Sequence, residues 1–228
     1  MPDIPHTFPA LQRGIRRLRL IFDTWYPWDL KKVGGKVRAL KFRQLEMDDI
    51  EWCLKLYARN ERCGVPESGR GLYEEYLESR DHRILIVEDS GGRVGTFGIH
   101  MADETTGYIS YLLVDPGAQR TGVGTTMVLA AAALLGVDDR EKYLMLTAFD
   151  TALPFYRRLA FASILTERHE GRPLHHLAHG PMPPLLIADY IEMLRRSGVD
   201  PEELRLRIPF SKTPTLPGSL DTEEELPY

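Results

Sequence analysis

The pattern of apolar and polar positions divides the chain into short β-type runs and longer helical runs. The run RILIVE at residues 83–88 is apolar and β-branched, as in a buried strand, whereas the alanine- and leucine-rich stretch at 125–135 is typical of a buried helix. Strands are predicted at residues 37–44, 83–88, 94–101, 108–114, 142–148, 162–169 and 174–179. Helices are predicted at residues 47–59, 72–78, 125–135, 153–159, 185–196 and 202–207, with a loop at 64–71. This order predicts an α/β fold.

The pattern changes near both ends of the sequence, and three regions follow from it. Residues 1–36 form a basic appendage, residues 37–180 the main domain, and residues 181–228 a helical extension with an acidic, proline-rich tail that we expect to be disordered. Residues 1–40 contain eight basic residues, and apolar residues recur at helical spacing among them. Such a helix, over residues 11–28, could contact a membrane surface. We favour packing on the domain or on a second subunit, as in a homodimer.

Composition narrows the class of protein. The 228 residues are 43% hydrophobic and 27% charged, which is ordinary for a soluble globular protein. The net charge of −4 gives no indication of nucleic-acid binding. The two cysteines, Cys53 and Cys63, have neither metal-ligand nor redox spacing. Without a secretory leader or spanning segment, the expected compartment is the cytoplasm.

The sequence VDPGAQRTGVG, at residues 114–124, lies between a predicted strand and a predicted helix. Helix N-termini bind phosphate through unpaired N–H groups, and glycines let the backbone approach a bulky anion. A Walker loop is excluded because no Lys-Ser/Thr follows Gly122. A dinucleotide loop is excluded because its glycine spacing is absent. The segment therefore predicts a phosphate site of another kind.

The spacing Gln-x-x-Gly-x-Gly, at Gln119, Gly122 and Gly124, resembles the GCN5-related N-acetyltransferase (GNAT) superfamily, as do the downstream pairs Phe155-Tyr156 and Ala160-Phe161. The resemblance covers roughly residues 37–180. It implies a mixed, mostly antiparallel twisted sheet flanked by helices, and acetyl-CoA as co-substrate. The cofactor contacts it implies are Leu112, Leu113, Val114, Gln119, Arg120, Thr121, Gly122, Val123, Gly124 and Thr125.

The resemblance also implies the reaction: transfer of an acetyl group to a primary amine by direct attack in a ternary complex, without a metal. Tyr156 corresponds to the tyrosine that faces the CoA sulfur, where a phenol can donate a hydrogen bond or a proton. Family members often carry Glu or His on the strand at 108–114, but this strand has neither. Glu61, Glu67 and Tyr111 are candidates for contact with the acceptor, and either glutamate could instead be a solvated loop carboxylate.

Two positions depart from the family pattern. Phe149 replaces the asparagine that often precedes the tyrosine by seven residues, and Ala160 stands where glycine is usual. The missing strand carboxylate and Phe149 leave an alternative open, in which the chain is a catalytically silent CoA-binding module that acts as a sensor or in protein contacts. His175, His176 and His179 could suggest a metal, but neighbouring residues on a strand point to opposite faces, so we expect no metal site.

Overall fold

The computed structural model describes residues 40–79, 83–136, 142–180, 184–206 and 208. The predicted basic helix at residues 11–28 and the predicted tail lie outside these residues. Strands are β1 (Lys41–Gln44), β2 (Arg83–Asp89), β3 (Gly92–Met101), β4 (Thr106–Val114), β5 (Tyr143–Phe149), β6 (Ala162–His169) and β7 (Arg172–His179). Helices are α1 (Ile50–Glu61), α2 (Arg70–Glu78), α3 (Val123–Leu135), α4 (Leu153–Arg158), α5 (Pro184–Arg196) and α6 (Pro201–Leu206).

The strands form one sheet with the order β1-β2-β3-β4-β5-β7-β6. Every neighbouring pair is antiparallel except β4 and β5, which are parallel. The predicted mixed, mostly antiparallel sheet with flanking helices is therefore confirmed. No helix in the described part of the chain is long and apolar enough to cross a membrane.

Both faces of the sheet are covered, which explains the continuous apolar run in β2. Leu85 and Val87 pack in the core that contains α3, whereas Ile84 and Ile86 pack in a second core with α1 and α2. Successive side chains of a strand point to opposite faces, so a strand that is buried on both faces needs apolar residues at every position.

Helix α3 is buried from all sides, and every residue from Thr126 to Leu135 is inaccessible to solvent. The sheet covers one side of the helix, while α5 and α6 contribute Tyr190, Leu194 and Leu204 to the same core. Small alanine side chains let three layers approach closely. The C-terminal helices are thus part of the main hydrophobic core.

The loop predicted at residues 64–71 is more structured than expected. Glu67–Gly69 forms a 3₁₀ turn, and α2 already begins at Arg70. The Tyr57 hydroxyl donates to the Pro66 carbonyl at 2.7 Å, and the Arg70 guanidinium binds Glu61. These side-chain contacts join residues nine positions apart on α1 and the start of α2, so the pattern of apolar and polar positions did not reveal them.

Candidate active site

The parallel strands β4 and β5 separate part of the way along the sheet. They pair only where residues 106–108 of β4 face residues 143–145 of β5, and beyond this point no ladder joins them. A cavity of about 980 Å³ opens in the gap and is lined by both strands, by the residues before α3 and by α4. The backbone of β4 from Ile109 to Val114 therefore has an edge that is not paired with β5.

A β-bulge bends β4 at the cavity. Thr96 of β3 pairs with Leu113, but Gly98 pairs with Ser110, so two residues of β4, Tyr111 and Leu112, oppose one residue of β3. Tyr111 adopts a positive φ of 46° at the bulge. Its ring packs in the second core against those of Tyr73 and Tyr76, at centroid distances of 4.8 and 4.6 Å, and burial raises the pKa of Tyr111 to about 12.

The end of β4, the loop after it and the first turn of α3 form one side of the cavity, which we call the glycine-loop wall: residues 112–114, 119–120, 122 and 124–125. Gly122 has φ +95°, a left-handed conformation that glycine adopts without strain. A Cβ atom on Gly124 would lie 3.3 Å from Cζ of Phe155 and 3.7 Å from Val114, so the absent side chain keeps this wall open. Arg120 lines the same wall and is exposed.

The ten residues predicted to contact the cofactor divide into two groups. Eight line the cavity, and they are Leu112, Leu113, Val114, Gln119, Arg120, Gly122, Gly124 and Thr125. Thr121 and Val123 do not: the Thr121 hydroxyl donates to the Ala118 carbonyl at 2.7 Å, and Val123 is buried in the core. Their side chains hold the loop and the helix, respectively.

The Gln119 side chain is engaged within the protein. Its amide nitrogen donates to Oδ1 of Asn60 at 3.2 Å and to the Val114 carbonyl at 3.3 Å. The Asn60 amide nitrogen donates to the same carbonyl at 3.2 Å and to Leu56 at 2.9 Å. The buried Asn60 thus ties the end of α1 to the end of β4. The sequence pattern did not indicate this role of Asn60, although a buried asparagine at a helix end must find hydrogen-bond partners.

Tyr156 lines the cavity from α4 and is largely buried. The helix ends two residues after it, at Arg158: the Phe161 N–H donates to the Tyr156 carbonyl at 3.1 Å and the Ala160 N–H to the Arg157 carbonyl at 3.0 Å, the pattern of a Schellman motif. The Phe161 ring packs edge-on against Tyr156 at 5.6 Å. Burial raises the pKa of Tyr156 above its ordinary value, so the phenol stays protonated at neutral pH.

The Schellman motif explains the glycine that is usual at position 160. Ala160 has φ +61°, in the left-handed region where an L side chain is strained. The loss of glycine at this position therefore costs stability while the hydrogen bonds that end α4 are kept.

A second side of the cavity, the hairpin wall, is formed by residues 63–66, 149, 151–152 and 169. Here the segment after α1 meets the β6–β7 hairpin: Arg172 donates to the Gly64 carbonyl at 2.9 Å, and the Ser68 hydroxyl donates to Glu170 at 2.7 Å. The Arg172 guanidinium lies 4.7 Å from the centroid of the Phe149 ring, and the His169 ring lies 6.1 Å from the same centroid.

The three predicted acceptor contacts have different positions. Tyr111 lines the cavity, whereas neither Glu61 nor Glu67 belongs to its lining. Both oxygens of Glu61 accept hydrogen bonds from Arg70, at 2.6 and 2.7 Å. Glu67 is exposed in the 3₁₀ turn. The structure thus brings Tyr111, but neither glutamate, together with the glycine-loop wall and Tyr156.

The histidines of β7 have protein partners. His175 binds Asp150 at 2.6 Å, His176 binds Glu167 at 3.0 Å, and the buried His179 binds the Gly180 carbonyl at 2.6 Å. Burial lowers the pKa of His179 to about 4. Among the described residues, no group of three potential ligands could hold a metal ion. His169, for which the sequence pattern indicated no individual role, is the imidazole that the structure brings to the described cavity lining.

Comparison with known proteins identifies the family. The chain matches the model of the acetyltransferase (GNAT) family over residues 46–161, about half of its length, and it therefore belongs to this family. A GCN5-related N-acetyltransferase structure from Rhodopseudomonas palustris is similar at 20% identity and a TM-score of 0.52, over 64% of this chain and 98% of that chain. The ribosomal-protein-S18-alanine N-acetyltransferase from Escherichia coli is similar at 15% identity and a TM-score of 0.50, over 62% and 94%. At these identities the likeness shows the fold. Among curated proteins, no match is found.

Proposed function

We propose that this protein transfers an acetyl group from acetyl-CoA to a primary amine by direct attack within a ternary complex. The observation that carries the proposal is the cavity between β4 and β5, which is lined at once by the glycine-loop wall and by Tyr156. The glycine-loop wall suits an extended, phosphorylated ligand, and the Tyr156 phenol suits the breaking of a carbon–sulfur bond.

The glycine-loop wall fits coenzyme A in three respects. The unpaired edge of β4 offers backbone groups to the amides of the pantetheine arm. The first-turn amides of α3 have no acceptors within the helix and favour a pyrophosphate. Gly124 keeps the wall open beside Phe155, and Arg120 adds positive charge. Because phosphate oxygens accept hydrogen bonds, we assign the phosphate contacts to the backbone amides of residues 120–125.

Tyr156 is the proposed proton donor to the departing sulfur. Its raised pKa keeps the phenol protonated, and the hydrogen bonds and ring contact that end α4 fix its ring beside the cavity. Acetyl-CoA supplies a thioester whose cleavage releases a thiolate. A phenol within hydrogen-bond distance of the sulfur stabilises that charge and returns the thiol form.

The hairpin wall is the proposed acceptor side. It is formed by chain segments far apart in sequence, held together by Arg172 and Gly64 and by Ser68 and Glu170. Phe149 belongs to this wall, and Tyr57 and Tyr111 line the cavity as well. Aromatic side chains in the lining suit the ammonium and the apolar body of an amine. Glu61 and Glu67 have no part in this proposal.

The proposed transfer is tested by measuring thiol release from acetyl-CoA with a panel of primary amines, and the acetylated product by mass spectrometry. We expect amine-dependent release by the wild type. Tyr156→Phe should lower kcat about 100-fold, because it removes the proton donor, and change the KM for acetyl-CoA little. The matched control is Tyr143→Phe, since Tyr143 is also buried but lies where β4 and β5 are still paired.

Two outcomes would contradict the proposal. If CoA binds tightly but no amine in a broad panel stimulates thiol release, the catalytically silent module is the better description. If Tyr156→Phe and Tyr143→Phe both retain wild-type kcat, the phenol is not the proton donor.

A further inference from the structure

The acceptor amine needs a proton acceptor that β4 does not provide. An alkylamine has a pKa of about 10.4 and is protonated at neutral pH, so its lone pair is not available for attack. Strand β4 (Thr106–Val114, TGYISYLLV) contains neither a carboxylate nor an imidazole. A side chain that takes the proton directly must therefore come from another element that lines the cavity, and the alternative is a relay through water.

The titratable groups of the described cavity lining are four phenols, two guanidiniums, one thiol and one imidazole. They are Tyr57, Tyr108, Tyr111, Tyr156, Arg120, Arg158, Cys63 and His169. Burial raises the pKa of all four phenols, which therefore remain protonated, and guanidiniums do not lose their proton in proteins. The thiol and the imidazole remain, and an imidazole is the side chain that ordinarily accepts and releases protons near neutral pH.

The position of His169 suits this role. It is the last residue of β6 and packs with the Phe149 ring, which ends the stretch of β5 that lines the cavity. Phe149 stands seven residues before Tyr156, at the place where an asparagine is usual in the family. His169 belongs to the cavity lining and is only half-buried, so it can both reach a ligand in the cavity and return a proton to water.

We propose that His169 is the general base of the acetyl transfer, an inference that rests on the proposed function. Its neutral imidazole takes one proton from the acceptor ammonium. The free amine forms the new C–N bond with the acetyl carbon, the C–S bond breaks, and the Tyr156 hydroxyl gives a proton to sulfur. The second proton of the amine restores the Tyr156 phenol through water, and His169 releases its proton to solvent. The products are an N-acetyl amine and CoA thiol.

The charged groups around His169 are bound to other partners. On the hairpin, Glu167 binds His176, Glu170 binds Ser68 and Arg168 binds the Gly171 carbonyl. Across the hairpin, Arg172 pairs in register with His169 and donates to the Gly64 carbonyl. At the end of β5, Asp150 binds His175. No described carboxylate is hydrogen-bonded to His169, which leaves its ring available to the acceptor.

The test compares His169→Gln with wild type over pH 5.5 to 9.5, using one amine that the wild type acetylates. We expect kcat/KM of the variant to fall about 100-fold at pH 7, the typical effect of losing a general base. The wild-type kcat/KM should rise with pH and level off across the range in which imidazoles titrate, and we call this rise with its plateau the acid limb. The variant should lose the plateau, because its kcat/KM then rises with the fraction of free amine up to pH 9.5. CoA affinity and thermal stability should be unchanged.

His176→Gln is the matched control, because His176 lies on the neighbouring strand and does not line the cavity. It should keep the wild-type rate and acid limb. Added imidazole should restore part of the activity of His169→Ala, which a merely structural role would not permit. The inference is overturned if His169→Gln keeps the acid limb and a rate within threefold of wild type, or if Cys63→Ser removes the limb instead. Wild type without activity on any amine would instead count against the proposed function.

Discussion

All residues of the glycine-loop wall lie within one stretch of 14 positions, 112–125. The hairpin wall instead combines residues 63–66, 149, 151–152 and 169. In the first, a strand end, a left-handed glycine and a helix start follow one another, so the local geometry is determined by neighbours in sequence. In the second, Arg172 reaches Gly64 over 108 positions and Ser68 reaches Glu170 over 102. Such a wall exists only once the sheet has formed.

This difference indicates how each wall tolerates change. The glycine-loop wall depends on the absence of side chains at defined backbone positions, so added side-chain carbons there should narrow the cavity and weaken CoA binding. The hairpin wall depends on a few hydrogen bonds between segments, each of modest strength. Substitutions there should alter how the acceptor is held without disturbing the cofactor.

The largest effect is expected at Gly124. Gly124→Val places branched carbons where a Cβ alone would already lie 3.3 Å from Phe155, and we expect CoA affinity to fall about 100-fold, or roughly 2.7 kcal/mol. Gly71→Val in α2 is the control, because a Cβ there meets nothing within 4 Å. Isothermal titration with CoA measures both. Equal affinities for the two variants would mean that this wall is not the CoA site.

Asn60 joins the two regions, because it begins the segment that leads to the hairpin wall and binds the carbonyl of Val114 in the other wall. Asn60→Ala removes three hydrogen bonds of the Asn60 side chain, to Leu56, Val114 and Gln119, and we expect a loss of about 2 kcal/mol in the free energy of unfolding. Chemical denaturation measures it.

A double-mutant cycle with Gln119→Ala sharpens this prediction. The two side chains share one hydrogen bond and one acceptor, so their effects should not add. Strict additivity would show that the tie between the walls is energetically unimportant.

A smaller effect, confined to the binding of the acceptor amine, is expected for substitution of Arg172. Arg172→Gln removes the guanidinium from Phe149 and its bond to Gly64, and we expect the KM for the amine to rise about fivefold, close to 1 kcal/mol. The KM for acetyl-CoA should stay unchanged. Steady-state kinetics with each substrate varied in turn measure both constants, and Arg168→Gln on the same hairpin is the control. A rise in the KM for acetyl-CoA alone would reverse the assignment of the two walls.

The smallest effect is expected at Ala160, behind Tyr156. Ala160→Gly relieves the strain of φ +61° but adds entropy to the unfolded chain, and we expect a net gain of about 0.5 kcal/mol in stability. Ala160→Val should be destabilising, since a β-branched side chain tolerates this conformation poorly. Thermal unfolding of the two variants gives the comparison, and a destabilised Ala160→Gly would show that the strain is absent.

Much of the fold was predictable because its strands and helices carry strong local patterns. The strand at 162–169 has the predicted limits, and α3 begins two residues before its predicted start. The start of α2 and the 3₁₀ turn at Glu67–Gly69 were not predicted, because contacts with α1 stabilise them. The same holds for the site: Gln119, Gly122, Gly124 and Tyr156 were found by spacing, whereas Asn60 and His169 come to the cavity only through the packing of distant elements.

The sequence by itself determined the glycine-rich turn into a helix at residues 119–124 and the position of a tyrosine one strand and one helix later, because neighbouring residues set those conformations. Only the tertiary structure decided what surrounds them. The separation of β4 from β5 creates the cavity, the bulge at Tyr111 bends β4 beside it, and the β6–β7 hairpin brings His169 to it. Each of these depends on hydrogen bonds and packing between residues far apart in the chain, which no local pattern encodes.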